Sequence, residues 1–379
     1  MEVYLDNSAT TRPSDAVVAA MSAAMTQTWH NPSALYRPAM AAEKLVAAAR
    51  KDCLDAAGAA GHRLIFTSGG TEADNLAIFG HLRRQKKPGR VLILSVEHPA
   101  VLACAAEIER LGHQVALLPV ESDGVLSLTA LEEQLDERVN LICVMQVNNE
   151  SGAVQPLEEV VRLRNAKAPG AAIHVDGVQG FLRLPLAFGR LGIQSYAFSG
   201  HKVHACKGIG GLIVRKDHPL SPIVFGGGQE EGYRSGTENL IGIAGFARAC
   251  TEARERSAED AAHMERLYKH ALEVLPASGV RLNLPQKAAG HIISITLPGI
   301  RSETMLHFLS ERGIYVSAGS ACSSHSHGPS GTLLAFGLSP ADADRTLRVS
   351  FGAQNTEEET DRLADALREG ISRLVRAAR

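Results

Sequence analysis

The sequence lacks what would place the chain at a membrane, outside a cell or on nucleic acid. Its formal net charge is −2 over 379 residues, so no strong field for nucleic acid or a charged membrane surface is expected. No apolar run is long enough to span a bilayer. The opening residues, Met-Glu-Val-Tyr-Leu-Asp, have neither a basic segment nor an apolar stretch, and no signal peptide is expected. There is no long polar or low-complexity tract to read as disordered. The six cysteines, at 53, 104, 143, 206, 250 and 322, form no CxxC pair. That argues for reduced thiols in a cytosol rather than a disulfide framework or a zinc site. The expectation is a cytoplasmic protein with no metal, no direct nucleic-acid partner and no membrane.

What is present is enough chain for two domains, with a 45% hydrophobic content that suits a fully folded protein. Residues 4–11 (YLDNSATT) read as a loop entering a domain. Ser14 or Asp15 caps a helix to about residue 28. An amphipathic helix at about 38–57 carries Leu45, Ala49, Cys53 and Ala56 on one stripe, with Cys53 as core packing. From residue 63 short apolar runs at 64–66, 91–95, 114–119, 140–146, 172–175 and 195–198 alternate with helical patterns. This is the pattern of an α/β protein: a mostly parallel sheet with covering helices. A long helical stretch from Leu240 towards Leu275 leads to a smaller α/β unit, with strands at 291–297, 314–316 and 346–351 and helices at 303–312 and 357–377. The expected division is a large domain at 15–252 and a small one formed by 1–14 and 253–379, the latter carrying a loop at about 317–331.

Ligands of such sheets sit beyond the C-terminal strand ends, and several reactive side chains fall there. Lys202 lies in the glycine- and histidine-rich turn after 195–198, where poor solvation and nearby cations favour an amine nucleophile of the Schiff-base kind. A solvated turn lysine has the same local sequence. Ser68-Gly-Gly-Thr-Glu72 is a glycine turn opening a helix, a phosphate cradle or simply a capped start. Asp176 follows a buried run; a protonated pyridine nitrogen would suit it, as would a helix N-terminus. His98 at another strand end can stack on a flat ring and move protons, or be an ordinary loop histidine. Asn149 offers an amide to an oxygen ligand, though Asn148-Asn149 also suits a turn. Arg348 offers a fork for a carboxylate or a surface ion pair. Cys322 sits among small polar residues in what reads as an exposed loop, which favours a reactive thiol; His325 and His327 beside it lack a fourth ligand at metal-site spacing.

Taken together, the motifs YLDNSATT, NPS, FTSGGTEADN, EHPAV, VNNESGAVQP, HVDGVQ, SGHK, KGIGG, GGGQE, RSGTEN, GSACSS and SFGAQNT run in order from end to end. In this the chain resembles the cysteine desulfurases of the NifS/IscS-like group, among the class-V, fold-type-I pyridoxal-phosphate enzymes. The resemblance implies a sulfurtransferase that takes sulfur from L-cysteine, leaving L-alanine and a Cys322 persulfide. The sulfur passes to an acceptor protein for iron–sulfur cluster assembly or tRNA thiolation. It implies catalytic roles for Lys202, Cys322 and His98. It implies cofactor contacts from Gly70, Thr71, His98, Asn149, Asp176, Gln179, Ser199, His201 and Lys202, with Thr237 reaching across a homodimer, and substrate contacts from Asn149 and Arg348. A selenocysteine lyase, or another aminotransferase or lyase on the same fold, would share most of these residues. The chain departs from the family pattern at Ala205-Cys206, where Gly-Pro is usual, at Glu231 for an arginine and at Tyr36 for a histidine. Cys206 is expected to be structural.

Overall fold

The computed structural model describes residues 2–319 and 330–377, with side chains described as far as Leu374. The chain opens on a two-residue strand, β1 (Val3–Tyr4), followed by helices α1 (Asp15–Gln27) and α2 (Arg37–Ala56). Ser14 caps α1, its hydroxyl accepting from the Val17 N–H. On α2 the buried ridge is Ala39, Ala42, Val46, Ala49 and Cys53. Leu45 and Ala56, expected on that stripe, are partly buried and pack against the core from its margin.

Seven strands form the central sheet: β2 (Arg63–Thr67), β3 (Arg90–Leu94), β4 (Gln114–Leu118), β5 (Val139–Met145), β6 (Ala172–Asp176), β7 (Ser195–Ser199) and β8 (Gly210–Val214). Their order is β2-β8-β7-β6-β5-β3-β4. Only β8 runs against the rest, pairing antiparallel with β2 and β7. Helices cover both faces, so the inner strands are apolar without alternation; all five residues of β6, β7 and β8 are buried. Helix α3 (Gly70–Leu82) follows β2, and α4 (Leu157–Lys167) precedes β6.

Helix α5 (Leu240–Val274) spans 35 residues, about 52 Å at 1.5 Å per residue. Its first turns enter the large core with Ile243, Phe246 and Cys250. Its last turns enter a separate core through Leu267 and Ala271. That second core packs a sheet of β9 (Arg281–Asn283), β10 (Ile292–Thr296), β12 (Ser317–Ala318) and β13 (Thr346–Ser350) against α6 (Ser302–Ser310) and α7 (Glu357–Ala377), while β1 pairs parallel with β11 (Ile314–Tyr315). Val3 and Leu5 are buried there. Strands β9 and β12 are absent from the sequence reading because two or three residues carry too little alternation to register.

Candidate active site

The C-terminal edges of β2, β3, β5, β6 and β7 deliver Gly70, His98, Asn149, Asp176 and Lys202 to one end of the sheet. Asp176 is 6% exposed. Burial raises its pKa, while the charges of His98 and Lys202 and a hydrogen bond from the Val178 N–H act in the opposite sense. The carboxylate therefore lies within electrostatic reach of both groups. No regular helix begins at residue 177, so the helix-cap reading of Asp176 fails and the turn N–H of Val178 takes its place.

Lys202 Nζ donates to the carbonyls of Ser8 (2.7 Å) and Ala9 (2.8 Å). The Ser8 carbonyl also accepts from Gln179 Nε2 at 2.9 Å. His98 accepts from the Ala100 N–H through Nδ1 (3.1 Å), capping a short helix at Pro99–Leu102. That bond assigns the imidazole proton to Nε2 in the neutral ring. Of the two asparagines, Asn148 is the turn residue: its oxygen accepts from the N–H groups of Glu150 and Ser151. Asn149 is released from that duty, and its carbonyl accepts from Arg348 Nη1 at 2.9 Å.

Arg348 is not in a surface ion pair; it is 2% exposed, and its Nη2 donates to Asp6 at 2.9 Å. Its Nε–H is buried without a partner among the described residues. An orphaned donor on a buried guanidinium fits a carboxylate that the ligand would bring.

At the start of α3, Gly69 and Gly70 face Ser199 and Val178. A side chain on Gly70 would meet Val178 Cγ2 at 2.6 Å, and one on Gly69 would lie 3.8 Å from Ser199 Oγ. Glycine keeps this cradle open where backbone N–H groups and the helix dipole meet. Glu72, in the first turn, is occupied by the Ser68 N–H (2.8 Å) and Arg234 Nε (2.7 Å). Its charge is thereby matched before any anion arrives. His201 Nδ1 lies 3.2 Å from Thr10 Oγ1, and burial followed by Lys202 lowers its pKa to about 4. It is a neutral donor or acceptor there, not a cation. Thr71 and Thr237 are both exposed. An anion cradle, an amine and a buried carboxylate beside a histidine fit pyridoxal phosphate: phosphate at α3, aldehyde at Lys202, pyridinium at Asp176.

Cys322, His325 and His327 lie outside the described residues, as does most of the expected 317–331 loop. Cys206 packs partly buried against the large core, and burial raises its thiol pKa, the reverse of a reactive cysteine. Glu231 pairs with Arg63 at 3.0 Å, and Tyr36 precedes α2, half exposed. Residues 6–11 are part of the site rather than an entry loop, with Asp6, Asn7, Ser8, Ala9, Thr10 and Thr11 all bonded to site residues. Arg183 was missed as well. The signal for the segment was its polar end, Asp-Asn-Ser-Ala-Thr-Thr, too rich in side-chain donors and acceptors for a mere linker.

The sheet order, the anion cradle and the lysine–carboxylate pair define a fold-type-I pyridoxal-phosphate enzyme. The family model for class-V aminotransferases matches residues 3–363. A protein named cysteine desulfurase IscS from Methanosarcina thermophila is 36% identical over 375 residues, 98% of this chain and 92% of its own. Among solved structures, one named NifS-like protein superposes with a TM-score of 0.92 at 34% identity, covering 98% of this chain and 100% of its own. Another, SspA in complex with cysteine, gives 0.81 at 30% identity over 94% of this chain and 100% of its own. The chain belongs to the class-V aminotransferase family, within its NifS/IscS-like group. Enzymes of this family depend on pyridoxal 5′-phosphate. Among the described residues no helix is long and apolar enough to cross a membrane.

Proposed function

We propose that this protein is a cysteine desulfurase converting L-cysteine and the Cys322 thiol into L-alanine and a Cys322 persulfide. The balance is complete: one C–S bond breaks, one S–S bond forms, and no external oxidant or reductant is needed. The observation that carries the reading is the meeting of Lys202, Asp176 and His98 at the strand ends, with Arg348 buried beside Asn149. Relatives and a solved neighbour whose names state this activity or this substrate support it.

Pyridoxal phosphate, when bound, supplies the electron sink for bonds broken at the substrate carbons. Asp176 would hold the pyridine nitrogen protonated. Gly70, Thr71, Ser199 and His201 would hold the phosphate, with Thr237 from a second copy. Gln179 would donate to the ring oxygen. Lys202 would hold the cofactor covalently and afterwards move a proton through Nζ. His98 would stack on the ring and exchange a proton through Nε2. Arg348 and Asn149 would orient the substrate carboxylate. Cys322 would act as the nucleophile towards the substrate sulfur.

A homodimer suits the exposed apolar side chains Trp29 (66%), Leu35 (102%), Tyr36 (52%), Met40 (50%) and Phe225 (75%). We assign a large domain to 15–252 and a small one to 1–14 with 253–379, a division that the two larger apolar clusters support. We also assign a cytoplasmic setting and a sulfur-acceptor protein serving iron–sulfur assembly or tRNA thiolation. The deciding experiment follows the visible spectrum and the alanine and sulfide formed from L-cysteine by wild type and Cys322→Ala. A visible band with turnover lost in the variant is expected. A band with turnover independent of Cys322 would instead favour an aminotransferase or lyase, and selenocysteine as a competing substrate tests the selenocysteine lyase.

A further inference from the structure

Arg183 follows Gln179 by one helical turn's spacing and carries a charge that no described carboxylate neutralises. Among the described residues it forms no ion pair, and its hydrogen bonds go to three oxygens: Gln179 Oε1 at 2.9 Å, the Lys202 carbonyl at 2.7 Å and the Asn7 carbonyl at 3.3 Å. Burial, and then the nearby Arg348, pull its pKa down to about 10. A cation held in this way costs stability unless its bonds accomplish something elsewhere.

We infer that Arg183 is a positioning residue that locks the Gln179 amide in the one orientation able to present an N–H to the cofactor's ring oxygen. Its role depends on the one proposed above for Gln179. A side-chain amide can turn over, exchanging oxygen and nitrogen at little torsional cost. Here both ends are spoken for. A guanidinium only donates, so the amide oxygen must face Arg183. The Ser8 carbonyl only accepts, so the nitrogen must face Ser8, which it meets at 2.9 Å. A reversed amide would set N–H against N–H at one end and oxygen against oxygen at the other. Nε2 carries two hydrogens; Ser8 takes one and the second is left for the ring. The same Ser8 carbonyl accepts from Lys202 Nζ, while Arg183 grips the carbonyl of Lys202. One guanidinium thus ties the ring-oxygen donor and the cofactor-bearing lysine into a single frame.

The fold contains its own control. Arg164, buried where Arg183 is partly so, is likewise an arginine bonded to neutral oxygens, those of Ala171, Gly192 and the Gln194 side chain. It too grips a glutamine amide, but none of its partners belongs to the site. Arg183 borders a cavity of about 980 Å³, so a methionine at 183 fits without a clash.

The test uses the full-length enzyme loaded with pyridoxal 5′-phosphate, in wild type, Arg183→Met, Arg183→Lys, Gln179→Ala, the Arg183→Met/Gln179→Ala double variant and Arg164→Met. Three quantities are read: the pH midpoint of the visible band, the cofactor Kd and the melting temperature. Arg183→Met is expected to move the midpoint by about 0.5 unit or more and to raise the Kd about tenfold. Arg183→Lys, with one donor head in place of a fork, moves both less. Added to Gln179→Ala, the methionine moves the midpoint no further, because the amide it orients is gone. Arg164→Met lowers the melting temperature and leaves the midpoint alone. A midpoint that stays put in Arg183→Met while Gln179→Ala shifts it overturns the assignment. So does an equal shift with and without Gln179, which would mark a purely structural arginine. If Gln179→Ala leaves the midpoint unchanged, or wild type forms no band, the reading of Gln179 or of the cofactor has failed and Arg183's role falls with it. Should the methionine variant not fold, Arg183→Lys decides, and a wild-type midpoint there is the negative result.

Discussion

Arg348 occupies the middle of β13, between Leu347 and Val349, which both enter the small core. Strand alternation then turns its side chain to the opposite face, towards Asp6 and Asn149. The alternation was legible in the sequence; the burial was not, because its counter-charge lies 342 positions away. Arg348→Lys keeps the charge and loses the fork. We expect the KM for L-cysteine to rise about 10- to 100-fold with a smaller change in kcat, measured by steady-state alanine production. An unchanged KM would remove Arg348 from the substrate site. Asn149 was legible for a related reason. One of two adjacent asparagines had to serve the turn, and the hydrogen bonds of Asn148 show which. Nothing in the local sequence could single out Arg183, whose partners come from residues 7, 179 and 202.

At the scale of elements, the strands that read clearly are mostly ones buried on both faces, short apolar runs such as 91–94 and 141–145 bounded by polar or turn residues. Their ends placed the site. The reversal of β8 was not legible, because strand direction depends on the connection and not on the residues within the strand. That reversal matters for the cofactor cradle. It brings Gly210, the first residue of β8, against the turn before α3. A side chain on Gly210 would meet the Phe198 carbonyl at 2.6 Å and Gly69 Cα at 2.7 Å, both backbone. Gly210→Ala must therefore move the turn that carries Gly69 and Gly70. We expect a loss of roughly 1–3 kcal/mol in stability, seen in chemical denaturation, with faster loss of pyridoxal phosphate on dialysis. A variant that retained the cofactor as wild type does would show that the cradle tolerates the shift.

For the molecule as a whole, burial acts on the ionisable groups of the large unit from two directions. Burial lowers the pKa of His81 and His218 to about 4 and that of His174 to about 3. Burial raises the carboxyls of Asp74, Glu97 and Asp176. Between the carboxylate and histidine ranges of the unfolded chain the two sets oppose each other. The histidines bind more protons when unfolded, so their contribution falls as pH falls. The carboxyls bind more protons when folded, so theirs falls as pH rises. The melting temperature of wild type should change little between pH 5 and pH 7. Glu97 is the member to remove, because it is 3% exposed and burial is the largest influence on its carboxyl. Glu97→Gln deletes one opposing carboxyl and leaves the histidines. Its melting temperature relative to wild type should therefore be higher at pH 7 than at pH 5; the reverse order would mean that Glu97 is ionised in the folded protein. The polar stretch from Asp6 to Thr11, bonded to Lys202, His201, Arg348 and Ser350, adds a constraint of another kind. During synthesis the first residues made wait for the 348th, roughly 20–70 s at ordinary elongation rates. Until then the segment beside Lys202 has its bonds to Gln179, Arg183 and His201 within reach but lacks its anchors on Arg348 and Ser350. Competence to take up the cofactor in its finished geometry is thus tied to completion of the small core, and a chain stalled before residue 346 would present the lysine with that segment only half anchored.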